Sequence, residues 1–479
     1  MSDGNGNGTR GGVSDFDTPR PEDVRITTGS SQTDRVLGGG FPANSINIIM
    51  GEPGTGKTVF AEQLVFHNAN GDRPILYLTT LSEPLTKVVR YLQRFDFFDP
   101  EKLGTEVIYD EVGTELAEEG VEALVPKVRE RIKAIGPQII VIDSFKALHD
   151  IAPSMAHMRR VVHDLAGLLT AYNTTAFLIG EYPESQPATL PEFVVADGIV
   201  ELLRHSEGVR DERFFRVRKL RGSSFRQGMH ALELSKSGVQ VYRRLVSPAE
   251  PPDYTVKRQR VETGVTGLDD MLGGGLWRGT TTLLAGPTGA GKTTIGLQFV
   301  LDGVRRGEPG LYLHLEENPT QLASLIESFG GDPTDERLHT LYFSPVELQI
   351  DRFIDTVFGL IRNQGVRRIV LDAVGDLVTA APDTQRLHDY LYALSQHFAV
   401  NGVTAMMTFE TARPGITGVY RIDAPFSHLS DNIVLLEVRL DEDQSRRRVR
   451  ILKTRGSRHD PVVREIRISE KGIEVVKSK

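Results

Sequence analysis

The chain repeats itself at a nearly constant spacing, and that repeat limits what it can fold into more than any other feature. TGSSQTDRVLGGGFPANS from Thr28 realigns without a gap on TGVTGLDDMLGGGLWRGT from Thr263, and GEPGTGKT from Gly51 on GPTGAGKT from Gly286, both 235 residues apart. KLRGS from Lys219 and KTRGS from Lys453 are 234 apart, as are Asp197 and Asp431. Self-similarity held in register over such a distance marks two homologous domains. We place them at 20–245 and 255–479, with a disordered segment at 1–19 and a linker at 246–254 in the Pro-rich, charged SPAEPPDYTVKRQR.

Within each half, short β-rich apolar runs precede helix-like stretches. SINIIM, ILYL from Ile75, IIVID ending at Asp143 and AFLIG ending at Gly180 are echoed by TTLLA, LYLHL, RIVLD and AMMTF. Alternation of this kind predicts an α/β fold, each half a mainly parallel sheet covered by helices on both faces.

Both glycine segments satisfy GxxxxGK[ST] between a strand and an amphipathic stretch, the setting that a P-loop requires. Gly51, Glu52, Pro53, Gly54, Thr55 and Gly56 would wrap phosphate with backbone N–H groups. Gly286, Pro287, Thr288, Gly289, Ala290 and Gly291 would do the same in the second half, ahead of Lys292, Thr293 and Thr294. Lys57 and Lys292 would neutralise β and γ oxygens, and Thr58 and Thr293 would ligate Mg²⁺, so the expected cofactors are ATP and Mg²⁺. Asp143 and Asp372, each closing an apolar strand, are the expected acids on the metal side.

In the second half LYLHL runs into Glu316 and Glu317, placed to position or deprotonate an attacking water. At the repeat spacing the first half offers Leu81, Ser82, Glu83 and Pro84: both acids are replaced, and Glu83 comes one residue late. A slow or binding-only first site is expected, with Glu83 its remaining candidate base. Glu181 and Glu410 also end core strands, where they could feel a γ-phosphate or a neighbour.

Composition narrows the alternatives. A net charge of −8 does not supply the basic field of a protein that coats nucleic acid. SRRRVR around Arg446 reads as an exposed strand with Arg446, Arg448 and Arg450 on one face. The absence of cysteine removes thiolate chemistry, and no apolar run is long enough to span a membrane, so a cytoplasmic location is expected.

The double P-loop, GLDDMLGGGL before the second one, the strand-end glutamate pair and the K-x-R-G-S blocks together resemble the KaiC family of circadian clock ATPases over about 450 residues. The resemblance implies a RecA-like fold in each half, a homo-oligomer of six subunits forming two stacked rings, and ATP between subunits. It also implies that Lys219 with Arg221, and Lys453 with Arg455, reach the γ-phosphate of a neighbour's nucleotide.

Family members phosphorylate themselves on adjacent Ser and Thr residues of the second domain. Anchored on Asp431, that Ser is Ser427 and the Thr is replaced by His428, so the full two-site cycle is not expected. The sequence stops at Lys479, seven residues after Gly472, so a partnership through the clock protein's longer C-terminal tail is not expected. The leading expectation is an oligomeric ATPase that signals by conformation to an unidentified downstream protein, with serine/threonine autokinase activity left open. A RecA-like DNA-dependent ATPase and an ATP-bound non-catalytic scaffold remain the alternatives.

Overall fold

The computed structural model describes residues 24–80, 85–183, 189–207, 210–248, 259–315, 318–344, 349–380, 384–411, 427, 429–441, 444–469 and 472–476. Two compact units meet in the sequence between Arg244 and Leu245. Among the described residues the first contains β1 (Arg25–Ile26), β2 (Phe41–Pro42), β3 (Ile46–Gly51), β4 (Ile75–Thr79), β5 (Val107–Glu111) and β6 (Ile139–Asp143). It continues with β7 (Thr175–Gly180), β8 (Gly198–Glu207), β9 (Arg210–Leu220), β10 (Met229–Ser235) and β11 (Gly238–Tyr242).

The second unit runs β12 (Arg260–Val261), β13 (Leu276–Trp277), β14 (Thr281–Gly286), β15 (Gly310–His314), β16 (Leu338–Tyr342) and β17 (Arg368–Asp372). There follow β18 (Thr404–Glu410), β19 (Asn432–Asp441), β20 (Gln444–Thr454), β21 (Arg464–Ser469) and β22 (Gly472–Val475).

Each unit holds a nine-stranded sheet among the described residues, ordered β11-β10-β9-β8-β3-β7-β6-β4-β5 in the first and β16-β15-β17-β18-β14-β19-β20-β21-β22 in the second. The stretches β8 to β5 and β16 to β19 are parallel, as the apolar runs predicted. Period-two alternation sends neighbouring residues of one strand into different cores. Ile46, Ile48 and Met50 pack with Ile140, Ile142 and Leu178 on one face, while Ile49 joins Val141, Phe177 and Ile179 on the other. Strands buried on both faces read as continuous apolar runs, which is why the sequence displayed them clearly.

Helix Lys57–Asn68 covers the second of these faces through Phe60, Leu64 and Val65, and helices Leu124–Ile135 and Met155–Ala171 cover the first. The second unit repeats the arrangement with Lys292–Arg305 on one face and Ile350–Gln364 with Thr384–Asn401 on the other.

The antiparallel ends of both sheets went largely unread. β8 to β11 and β19 to β22 extend the parallel core by hairpins. The basic cluster forms a strand, β20, paired with β19 along its length and with β21 through Arg447–Val449. Arg446 is exposed, whereas Arg448 and Arg450 are half-buried and Arg450 pairs with Glu437 at 3.1 Å.

Leu245 is buried in the second unit's core, and the carbonyl of Val246 lies 3.0 Å from His397 Nε2. Residues 1–23 and 249–258, the latter including 249–254 of the expected linker, lie outside the described residues. No helix among those described is long and apolar enough to cross a membrane.

Candidate functional site

The P-loop leaves the carboxyl end of β3, a position flanked in the sheet by β7 and β8. Gly54 and Gly56 take φ of 75° and 102°, and Gly289 and Gly291 repeat this with 76° and 103°, a backbone that other residues adopt only with strain. A Cβ added at Gly54 or Gly289 would meet nothing within 4 Å, so both loops present open backbone. Helices Lys57–Asn68 and Lys292–Arg305 then begin at glycine N-caps without a side-chain capping bond, leaving their first N–H groups available to an anion.

Lysine, threonine and aspartate converge at each loop. Thr58 Oγ1 donates to Asp143 Oδ2 at 3.1 Å, and Thr293 Oγ1 to Asp372 Oδ2 at 2.8 Å. A tyrosine buried in the next strand fixes each carboxylate: Tyr77 OH donates to Asp143 at 3.0 Å and Tyr312 OH to Asp372 at 2.6 Å. In the second unit Thr408 adds a further hydrogen bond to Asp372.

Lys57 Nζ donates to the Glu52 carbonyl at 2.8 Å, and Lys292 Nζ to those of Gly286 and Pro287 at 2.9 and 3.1 Å. Burial lowers the Lys57 pKa, while Glu181 and Asp143 pull it back up. One carboxylate and one hydroxyl per site is a small oxygen set, and no group of three acids or histidines placed to hold a metal ion occurs among the described residues. That set fits a hard divalent cation that keeps several waters, the habit of Mg²⁺. Thr55 is buried against the Glu52 carbonyl at 2.8 Å, and Thr294 is a half-buried member of its helix.

The K-x-R-G-S blocks lie at the other end of the sheet. Arg221 N donates to the Asp197 carbonyl and Asp197 N to that of Ile46, at the amino end of β3. Arg455, Asp431 and Thr281 repeat these bonds. The P-loop follows the carboxyl end of β3, about 16 Å further on at roughly 3.3 Å per residue. Lys219 is held by the Ala196 carbonyl at 2.5 Å and Lys453 by that of Ser430 at 2.6 Å. Arg221 and Arg455 sit 3.3 and 3.7 Å from Asp197 and Asp431, and both arginines are about 60% exposed. Burial, and then the neighbouring arginine, lower the pKa of each lysine. Within one chain these cations cannot touch its own P-loop.

Arg447 was missed. Its Nε donates to the Gly289 carbonyl at 2.9 Å, bringing a cation from β20 onto the second P-loop. Strand alternation sets Arg447 opposite Arg446, Arg448 and Arg450, a signal present in SRRRVR but hidden by the run of identical charges. Glu83, Glu316, Glu317 and His428 lie outside the described residues, and Ser427 is half-buried.

The family model for the KaiC ATPase matches residues 26–246 and again residues 261–479, one match over each P-loop and its aspartate. The chain belongs to the KaiC family. Among similar proteins, the circadian clock oscillator protein KaiC of Rippkaea orientalis is 26% identical over 467 residues, covering 94% of this chain and 88% of the relative. The circadian clock protein KaiC2 of a Synechocystis strain is 26% identical over 475 residues, covering 95% and 82%. The circadian clock oscillator protein KaiC of Thermostichus vulcanus is 26% identical over 470 residues, covering 94% and 89%.

This KaiC-family ATPase treats its two halves differently behind the P-loop. Glu62 on the first P-loop helix is 1% exposed and accepts from Tyr109 OH at 2.5 Å, with its other oxygen unpartnered; Leu297 stands at the repeat position. Tyr109 stacks on Tyr77, the tyrosine that holds Asp143. Burial pushes the Glu62 pKa up to about 8, against an ordinary value of 4.5.

Because the folded chain holds this proton more tightly than the unfolded one, the stabilisation is complete below pH 4.5 and is lost as pH rises to about 8. Glu62→Gln keeps the acceptor and removes the charge. Urea denaturation followed by far-UV circular dichroism should show the variant gaining on wild type as pH rises from 5 to 8.5, by an amount on the order of a few kcal/mol. A pH-independent difference would contradict the assignment.

Proposed function

We propose that this KaiC-family ATPase binds ATP and Mg²⁺ at both P-loops, at the subunit interfaces of a homo-oligomeric ring that is a hexamer. It turns ATP over chiefly in the second unit and signals to a downstream protein through ATP-dependent conformation. The observation that carries this reading is the duplicated junction of Thr58 with Asp143 and Thr293 with Asp372, each tyrosine-braced beside an open glycine loop.

The threonine and aspartate of each pair would hold Mg²⁺, Lys57 or Lys292 the phosphates, and Arg447 the rim of the second loop. Mg²⁺ would supply charge neutralisation on the transferring phosphoryl group. Glu316 and Glu317 orient water and accept its proton, work for which the first unit retains only Glu83.

Lys219, Arg221, Lys453 and Arg455 act on a neighbour, which their distance from their own loop supports. A cation donated across an interface makes turnover depend on assembly. Ser427 lies three residues before the carbonyl that anchors Lys453, so any phosphoryl group reaching it would come from that neighbour's nucleotide. The clock role in the relatives' names is not carried over, because His428 replaces the second acceptor of the family's cycle.

Mixing tests this reading. Arg455→Ala and Lys292→Ala should each be about 10²-fold or more below wild type in ATP turnover. Mixed subunits should recover a substantial fraction, since some interfaces then join an intact loop to an intact arginine. Light scattering should report a ring with ATP–Mg²⁺. Full turnover by Arg455→Ala alone, or a monomer under every nucleotide condition, would contradict the interface reading.

A further inference from the structure

Both halves bring a carboxylate from the strand beside the P-loop strand onto the loop itself. In the first unit Glu181, directly after β7, places Oε1 3.6 Å from Lys57 Nζ. In the second, Glu410 at the end of β18 accepts from Thr288 Oγ1 at 2.5 Å.

Strand register delivers these acids: β7 pairs with β3 through Gly180 opposite Met50, and β18 with β14 through Glu410 opposite Gly286. Their spacing of 229 residues also separates Asp143 from Asp372, so the feature is built twice. A charge meant only to balance a buried lysine would be enclosed with it. Glu181 is instead 55% exposed, while Lys57 is 8% exposed.

We propose that Glu181 and Glu410 are specificity-determining residues that set each site's preference between a nucleoside triphosphate and a diphosphate. The inference rests on the nucleotide-site reading above. In the first unit a terminal phosphate adjoining Lys57 must share that cation with Glu181 or push it aside, and in the second it would meet the negative charge of Glu410 on the loop, each at an electrostatic cost. A diphosphate ends one group earlier and meets less of this repulsion.

Each strand end is also tied to its surroundings. Tyr182, directly after Glu181, donates to Glu192 Oε1 at 2.9 Å, and the same oxygen lies 2.9 Å from His149, six residues after Asp143. Thr411, after Glu410, donates its N–H to Gly286 at 3.1 Å. A carboxylate displaced in the first unit therefore pulls on the segment that follows Asp143, and one displaced in the second pulls on the P-loop strand.

The test uses the full chain carrying Lys292→Ala, so that binding reports the first site, with ADP and AMP-PNP competing against a fluorescent nucleotide. Glu181→Gln should raise the AMP-PNP to ADP affinity ratio about tenfold, chiefly through AMP-PNP, and Glu181→Asp should return it toward wild type. Glu410→Gln in a Lys57→Ala background should do the same at the second site. A ratio unchanged by Glu181→Gln, or both affinities moving together as for a merely structural residue, overturns the inference while leaving the nucleotide site standing. Failure of the unsubstituted chain to bind either nucleotide would overturn the site itself.

Discussion

Replacing Glu316 and Glu317 together by glutamine lowers ATP turnover by about 10²–10⁴-fold, the usual worth of a positioned general base, and leaves nucleotide binding in place. Anchored points on either side of the pair support this expectation. Leu315 N donates to the Asp372 carbonyl at 3.1 Å, and Asn318 caps helix Pro319–Ser328 by accepting from Thr320 N at 2.8 Å. Glu316 thus follows in sequence a residue whose backbone is bonded to Asp372. In the first unit Thr80 N makes the equivalent bond to Asp143 at 2.9 Å, but Leu81 and Ser82 follow it. Steady-state phosphate release, with nucleotide affinity measured in parallel, checks the prediction; loss of binding together with turnover would assign the pair a structural role.

Arg368→Ala destabilises the second unit by about 3 kcal/mol, the worth of the charge-assisted hydrogen bonds lost with the buried guanidinium. Arg368 is 2% exposed and donates to Glu308 at 2.8 Å, to Asp302 at 3.1 Å and to the carbonyls of Glu262 and Phe299 at 2.9 Å each. Removal of the guanidinium would leave two acids and two carbonyls short of donors. The first unit makes the corresponding strand start with Ile139, fully buried and apolar, so the ionic hub belongs to the second unit alone.

Lys cannot reproduce the planar fork, so Arg368→Lys should recover only part of the loss. Trp277 is the single tryptophan of the chain and lies in the second unit, so its fluorescence during urea denaturation isolates the effect. An unshifted midpoint would contradict this account of the hub.

Features that need only local chemistry were legible. The tight glycine turns and the apolar strands ending in Asp143 and Asp372 could be read because a left-handed backbone and a doubly buried strand each impose their residues locally. The antiparallel extensions were not. RDERFFRVRKL and QSRRRVRILKT carry so much charge that their buried positions, such as Phe215, Val217, Val449 and Ile451, do not stand out as apolar runs.

Partnerships across the fold were hidden for a different reason. Tyr77 reaches Asp143 across 66 residues of sequence, Arg447 reaches Gly289 across 158, and Glu62 owes its raised pKa to enclosure that no local pattern encodes. The remote position of the Lys219 and Lys453 blocks emerged only from strand register, since both follow their P-loops in sequence without revealing which end of the sheet they occupy.

Turnover and assembly measured side by side in Lys57→Ala and Lys292→Ala test the central claim of divided labour most directly. The account predicts that Lys292→Ala loses nearly all hydrolysis and still forms the ring, while Lys57→Ala keeps most hydrolysis per assembled subunit and loses ATP-driven assembly. Hydrolysis abolished by Lys57→Ala in an intact ring, and retained in Lys292→Ala, would contradict it and make the first unit the engine.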